Sequence, residues 1–216
     1  MRLDSYLVEI GNLTSRGRAK RAILEGYVKV NDTLVTKPSF DVAYSDKVEV
    51  EDGLDKPAGY WKLKDIQDKT GILRDGDRVL DIGSSAGGFL MFASGIASSV
   101  HGIEFSREFH TQLTKLAHEI PNITVEFADV FTIPMESPGQ FDVMMMDITA
   151  NPLSSIKALE HMLPALKSGG MLLIVLKLPK DRGRELHLSE LSSLGIKVTD
   201  IIEPDKQEAY VIARKL

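Results

Sequence analysis

From residue 60 onward the chain alternates strand-like apolar runs with helix-sized segments, and this alternation constrains the fold more than any other feature. Residues 79–82, 100–103, 123–127, 143–146, 172–176 and 198–202 are short runs rich in Val, Ile, Leu and Met that read as buried strands. Helix-compatible segments around 86–96, 106–118, 155–167 and 182–193 lie between them. Neighbouring parallel strands need a crossover of about a dozen residues, usually a helix, so the pattern predicts an α/β fold with a mostly parallel, doubly wound sheet. The last run, residues 209–213, follows its predecessor through only a short turn and fits an antiparallel hairpin. It brings the expected strand number to seven.

The amino-terminal segment is patterned differently. Leu3, Leu7 and Ile10 recur at helical spacing, and Ser15 can cap a second helix whose apolar face is Ala19, Ile23 and Leu24. Gly26 stops that helix, and three short alternating runs follow at 27–30, 33–35 and 47–50, the first two joined by Asn31-Asp32. Two helices and a small sheet make a separate α+β unit over residues 1–50. Residues 51–59 mix charges with two glycines and a proline and read as a linker, leaving 60–216 as the larger domain.

Composition narrows the chemistry. The chain of 216 residues has no cysteine, which excludes disulfide frameworks, thiolate zinc sites, iron–sulfur clusters and cysteine nucleophiles. No His or acidic spacing suggests a metal site. A net charge of −5 argues against coating nucleic acid over the whole surface, although a local basic patch is compatible with it. The longest apolar run, residues 171–176, is strand-sized, and the first residues lack the apolar core of a signal peptide, so the expectation is a cytoplasmic protein without a membrane role.

The first strand of the larger domain runs into Asp81-Ile-Gly-Ser-Ser-Ala-Gly-Gly-Phe89, a glycine-rich turn opening a helix. Its glycines, Gly83, Gly87 and Gly88, do not follow the dinucleotide spacing, and it begins with an acid, which repels a pyrophosphate but attracts an ammonium. S-adenosylmethionine carries such a group. Glu104 ends the second strand, where it can accept ribose hydroxyls, and Asp129 follows the third, where it can accept an adenine amino group. Each acid alone reads as a cap or loop residue; three at successive strand ends form a set. Residues 60–216 resemble the Rossmann-type methyltransferases, and the 81–89 loop resembles that of the FtsJ family of ribosomal RNA methyltransferases. Ala86 stands where that family usually has proline, and Phe89 where it often has tryptophan.

Four ionisable residues fall at the same rim of the expected sheet: Lys62 in WKLKDIQ, Asp147 after the fourth strand, Lys177 after the fifth and Glu208 before the last. Methylating a ribose 2′-hydroxyl means removing a proton from a weak acid, which a lysine with a pKa depressed by a neighbouring cation can do, with carboxylates orienting the partners. Individually, Lys62 reads as a solvated helix lysine and Glu208 as edge-strand protection. The four together resemble the Lys-Asp-Lys-Glu tetrad of the FtsJ family. That resemblance implies Lys177 as principal base, Asp147 and Lys62 as positioning groups, and Glu208 as the residue completing the network; Asp147 also borders the cofactor. The fourth strand lacks the Asn/Asp-Pro-Pro-aromatic motif of adenine-N6 enzymes, and cytosine-C5 chemistry needs a cysteine.

Residues 1–50 resemble the S4 RNA-binding domain through Arg2-Leu-Asp4, the run Thr14-Ser-Arg-Gly-Arg-Ala-Lys-Arg21, Gly26-Tyr-Val-Lys-Val-Asn31 and Lys37-Pro-Ser39. Arg16, Arg18, Lys20 and Arg21 cluster without an intervening acid at the start of one helix, where they can meet successive phosphates, with Arg2 as a further contact. An S4 unit ahead of an FtsJ-like domain resembles the TlyA family of 2′-O-methyltransferases, some of whose members are labelled haemolysins. The resemblance implies a ribosomal RNA or ribosomal subunit as partner. A non-catalytic assembly factor and a base or small-molecule methyltransferase stay open as alternatives.

Overall fold

The computed structural model describes residues 1–13, 15–50, 56–134, 141–177, 184–204 and 207–216. The chain divides into two compact units, residues 1–56 and 57–216. Of the expected linker, residues 51–55 lie outside the described residues, and its last residues already belong to a helix, for which Pro57 is the N-cap.

The first unit contains α1 (Leu3–Glu9), α2 (Arg16–Leu24), β1 (Val28–Val30), β2 (Thr33–Leu34) and β3 (Val48–Val50). The strands form an antiparallel sheet in the order β2-β1-β3. Asn31 and Asp32 both adopt positive φ, which suits the tight turn between β1 and β2. Ser15 caps α2 by accepting from the Arg18 amide. Leu3, Leu7, Ala19, Ile23, Val28 and Val30 share one core. Two expectations fail here: Leu24 is 64% exposed and Ile10 41%. Ala22 takes the place of Leu24, because the buried stripe of α2 follows i, i+3, i+4 from Ala19, and Leu24 falls one residue beyond it.

The second unit runs α3 (Ala58–Thr70), β4 (Arg78–Ile82), α4 (Gly88–Ser94), β5 (Ser99–Glu104), α5 (His110–Glu119), β6 (Ile123–Phe127), β7 (Phe141–Met146), α6 (Pro152–Met162), β8 (Leu166–Leu176), α7 (Arg184–Ser193), β9 (Ile196–Ile202) and β10 (Ala209–Lys215). Its seven-stranded sheet has the order β6-β5-β4-β7-β8-β10-β9. The pairs among β4 to β8 are parallel, whereas β10 lies antiparallel between β8 and β9. The helix expected through residue 167 ends at Met162, since Pro164 sits in a short 3₁₀ turn and β8 already begins at Leu166.

Both faces of the sheet are covered, so its central strands are buried on both sides. Met144 and Met146 point into one apolar cluster, Val143 and Met145 into the other. From β4 the chain winds outward through β5 and β6, then returns to the other side of β4 with β7. The carboxyl ends of β4, β5 and β7 therefore meet at a topological switch point, where open α/β sheets form their ligand crevice.

Candidate active site

Sheet register brings the four rim residues together. Asp147 leaves β7 beside β4, its amide donating to the Ile82 carbonyl at 3.1 Å. Leu176 lies opposite Ala209 across the antiparallel β8/β10 pair, which sets Lys177 next to Glu208. Helix α3 buries Leu63 and Ile66 and presents Lys62 beside that stripe. The result is a closed ring of alternating charge. Lys62 Nζ lies 2.8 Å from Asp147 Oδ2 and 3.2 Å from Glu208 Oε1. Lys177 Nζ lies 2.9 Å from Asp147 Oδ1 and 2.8 Å from Glu208 Oε2. The Tyr210 hydroxyl donates to Glu208 Oε1 at 2.7 Å, and Lys62 Nζ stands 5.1 Å from the centre of the Tyr210 ring.

The charges respond to this arrangement. Burial disfavours ionised Glu208, yet Lys177, Tyr210 and Lys62 outweigh it and hold its pKa at about 2. Burial alone would depress Lys177, but the hydrogen bonds and charges of Glu208 and Asp147 prevail and raise it. This reverses the expectation of a lysine depressed by a neighbouring cation. Each ammonium here faces two carboxylates, at 2.8 to 3.2 Å. Tyr210 is raised as well, by burial and then by Glu208.

Beside the ring lies a cavity of about 470 Å³ at the ends of β4, β5 and β7. Gly83, Glu104, Asp129 and Asp147 line it, together with residues not singled out in the sequence: Phe105, Phe109, Val130, Phe131 and Ile148. Glu104 is buried, its Oε2 accepting from the Ser85 amide at 2.7 Å and its Oε1 from the Ser106 amide at 2.6 Å. It thus ties the loop after β4 to the end of β5. Asp129 Oδ1 accepts from the Phe131 amide at 2.9 Å, turning the chain after β6.

A family model described as FtsJ-like methyltransferase matches residues 58–215, and one described as S4 domain matches residues 1–48. The chain belongs to the FtsJ-like methyltransferase family. It is 28% identical over 184 residues to the ribosomal RNA large subunit methyltransferase E of Syntrophobacter fumaroxidans, covering 72% of this chain and 87% of that one. It is 37% identical over 91 residues to Hemolysin A of Brachyspira hyodysenteriae, covering 41% of this chain and 38% of that relative's length. Among solved structures, a SAM-dependent methyltransferase from Aquifex aeolicus superposes with a TM-score of 0.58 at 24% identity, covering 71% of this chain and 89% of that one, a likeness of fold.

The residues of this FtsJ-like methyltransferase fit S-adenosylmethionine. Both carboxylate oxygens of Asp81 are buried without a hydrogen-bond partner, since Ser84 donates to the Asp81 backbone carbonyl instead. Burial, first of all, and the negative charges of Asp147 and Glu104 outweigh the lowering influence of the nearby Ser84 hydroxyl and raise Asp81 to about 7. A buried, unpartnered acid among acids calls for a cation, and an ammonium group supplies one. The aromatic and aliphatic lining suits a flat heterocycle, and each Glu104 oxygen retains acceptor capacity for a hydroxyl.

The glycines divide by role. Gly83, at φ +85°, lines the cavity, and an added Cβ would lie 2.8 Å from the Asp147 carbonyl oxygen. Gly87 and Gly88 lie outside the lining, because their missing side chains serve packing instead. A Cβ on Gly87 would strike Leu116 at 2.7 Å, and one on Gly88 would meet the Tyr60 amide at 2.5 Å, where α3 crosses α4. Phe89, 5% exposed, belongs to the core beneath them, and Asp81 is buried and is not among the residues lining the cavity. The cavity's aromatic wall was missed because Phe105, Phe109 and Phe131 sit in irregular segments or at element ends, where no periodicity marks them. Their position one to five residues past strand-end acids was the available signal.

In the S4 unit, Arg2 and Arg16 both bind Asp4, whose side chain is wholly buried. Arg21 pairs with Glu25 at 2.8 Å, and Lys20 is exposed. The basic cluster therefore has acidic neighbours that its own run of sequence does not contain. Thr14, the first residue of that run, lies outside the described residues.

Proposed function

We propose that the protein is an S-adenosylmethionine-dependent RNA 2′-O-ribose methyltransferase acting on ribosomal RNA in the cytoplasm. The observation carrying this reading is the closed Lys62–Asp147–Lys177–Glu208 ring beside a cavity suited to the cofactor. The S4 unit, the similarity to a ribosomal RNA methyltransferase and the basic residues Arg2, Arg16, Arg18, Lys20 and Arg21 support RNA as substrate.

Bound S-adenosylmethionine supplies an electrophilic methyl group on a sulfonium sulfur. Asp81 would answer its ammonium, Glu104 would accept from its ribose hydroxyls, and the wall containing Phe105 and Phe131 would take its base. Lys177, in its neutral form, takes the proton of the attacking 2′-hydroxyl at Nζ as the new carbon–oxygen bond forms and the methyl carbon–sulfur bond breaks, leaving a neutral thioether. Glu208 and Asp147 hold Nζ in place and stabilise the ammonium that results; Lys62 shares both carboxylates and keeps the ring neutral overall. The resting enzyme carries Lys177 protonated, because Glu208 and Asp147 raise it above the ordinary lysine value, so only a small fraction of molecules is ready near neutral pH. That fraction rises tenfold per pH unit, and the methyl-transfer rate rises with it.

The test is to incubate ribosomal RNA from a strain lacking the protein with the enzyme and methyl-labelled cofactor, then digest it to nucleosides. The expected label sits on ribose, at a linkage resistant to alkali. Label on a base would replace this reading with base methylation, and no transfer at all would favour a binding or assembly role.

A further inference from the structure

The basic residues of the S4 unit are not equivalent. Arg2 stands at the N-cap of α1 and Arg16 opens α2, and both reach the same carboxylate. Arg2 Nε and Nη2 donate to Asp4 Oδ1 and Oδ2 at 2.9 and 3.0 Å, a bidentate pair, while Arg16 Nη2 donates to Oδ2 at 3.2 Å. Asp4 has no exposed side-chain surface, yet the arginine side chains remain 48% and 57% exposed. Arg2, first of all, then Arg16, keep the Asp4 carboxyl well below the usual carboxylate range, so it stays ionised.

We infer that Asp4 is a positioning residue that locks Arg2 and Arg16 into a two-pronged clamp for one backbone phosphate of the RNA. This rests on the reading of the S4 unit as RNA-binding. A guanidinium offers five donors in a fixed plane; Asp4 occupies two on Arg2 and one on Arg16, leaving the others directed elsewhere. Alone, two guanidiniums converging on one spot repel each other and sample many rotamers. The buried carboxylate removes the repulsion, fixes the planes before RNA arrives and leaves a net charge of +1, which a phosphodiester neutralises. Arg21, in contrast, is 79% exposed, and its partner Glu25 lies on the same helix surface. Such a pair is easily dissolved by salt and directs nothing.

Asp4→Asn separates orientation from charge, because the two hypotheses give opposite signs. The variant is one positive charge richer. If the arginines act only as diffuse charge, it binds RNA more tightly; if they form an oriented clamp, it binds more weakly despite the added charge. Fluorescence anisotropy of the full chain with a labelled RNA stem-loop, repeated over a salt titration, reads this directly. We expect Asp4→Asn to weaken binding at least fivefold. Arg16→Lys leaves Asp4 with a cation and the charge count unchanged, and guards against a failure of Asp4→Asn to fold. It should weaken binding threefold or more without altering the salt slope, since a point charge cannot replace the planar fork. Circular dichroism and thermal melts verify folding. Tighter binding by Asp4→Asn, or wild-type affinity of Arg16→Lys, overturns the clamp. Failure of the wild type to bind the stem-loop overturns the RNA-binding reading itself.

Discussion

Lys177 and Glu208 meet because Leu176 and Ala209 are paired across β8 and β10, and β10 runs antiparallel to both of its neighbours. A parallel β10 would carry the residue before it to the opposite end of the sheet. The hairpin-like return of the chain is thus what delivers the fourth charge to the ring and lifts the pKa of Lys177.

Lys177→Ala should abolish methyl transfer while leaving cofactor and RNA affinity nearly unchanged, because the group acts on a proton that moves only during the reaction. Lys177→Arg should be equally inactive, since arginine keeps the charge but releases no proton below about pH 12. In the wild type, single-turnover rates should climb with slope one in log units from neutral pH to beyond 10. An arginine variant with near-wild-type turnover would reduce Lys177 to an electrostatic role.

Glu208→Gln removes one of the two anions that raise Lys177, so its pKa should fall and the rising limb of the pH–rate profile should move to lower pH. Stability gives a second reading. The folded-state pKa of Glu208, about 2, lies below its unfolded value of about 4.3, so its contribution is complete above that value and is lost as pH falls towards 2. Urea melts of the variant should lose this portion of the acid dependence. An unshifted rate profile would mean that Glu208 does not govern the protonation of Lys177.

Asp81 has the opposite sign. Its pKa near 7 lies above the unfolded value of about 3.9, so its ionisation costs stability as pH rises through that interval. Without cofactor, Asp81→Asn should therefore melt at a higher temperature than wild type at pH 8. A cationic ligand favours the ionised form, so S-adenosylmethionine should bind more tightly as pH rises through 7, with proton release visible by calorimetry in buffers of different ionisation enthalpy. Asp81→Asn should bind at least roughly tenfold more weakly, a loss of about 1.4 kcal/mol or more, and lose the pH dependence. Equal proton release by the variant would assign the effect to another group.

Gly88→Ala should misplace Lys62 without touching it. The new methyl group would stand 2.5 Å from the Tyr60 amide and 2.8 Å from the Gly59 Cα, backbone atoms of the helix that carries Lys62. Overpacking of this kind costs roughly 1–3 kcal/mol. Turnover should fall more than cofactor affinity, measured on the same preparation; matching losses in both would indicate general unfolding.

The sequence made the strands of the larger domain legible because parallel strands buried on both faces need continuous apolar runs, and 143–146 or 172–176 have no alternative reading of similar quality. Glu104, Asp147 and Lys177 were legible because they end or directly follow those runs. Pairing was harder to read. Nothing local in Lys177 says that its pKa rises; that depends on Glu208 and Asp147, brought near by register. Asp4 illustrates the same difficulty: two residues from Arg2 in the chain, it becomes the partner of Arg16 only once α1 and α2 have packed. Gly87 and Gly88 carry the signature of a ligand loop, but in a β–turn–α unit close helix packing demands the same missing side chain. Leu24 falls off the buried stripe because a one-residue step turns a helix by about 100°.

The ring has a consequence for how RNA is approached. Two positive and two negative groups at alternating corners have neither net charge nor, to first order, a dipole, so the field they cast decays far more steeply with distance than that of a single ion. The two ring lysines would therefore be invisible to a passing polyanion until a ribose is already against them. Attraction over longer range has to come from elsewhere in the chain, and under the proposed function the local cluster Arg16, Arg18, Lys20 and Arg21 of the amino-terminal unit is what would supply such a division of labour. One part captures, and the other recognises only what has been delivered to contact.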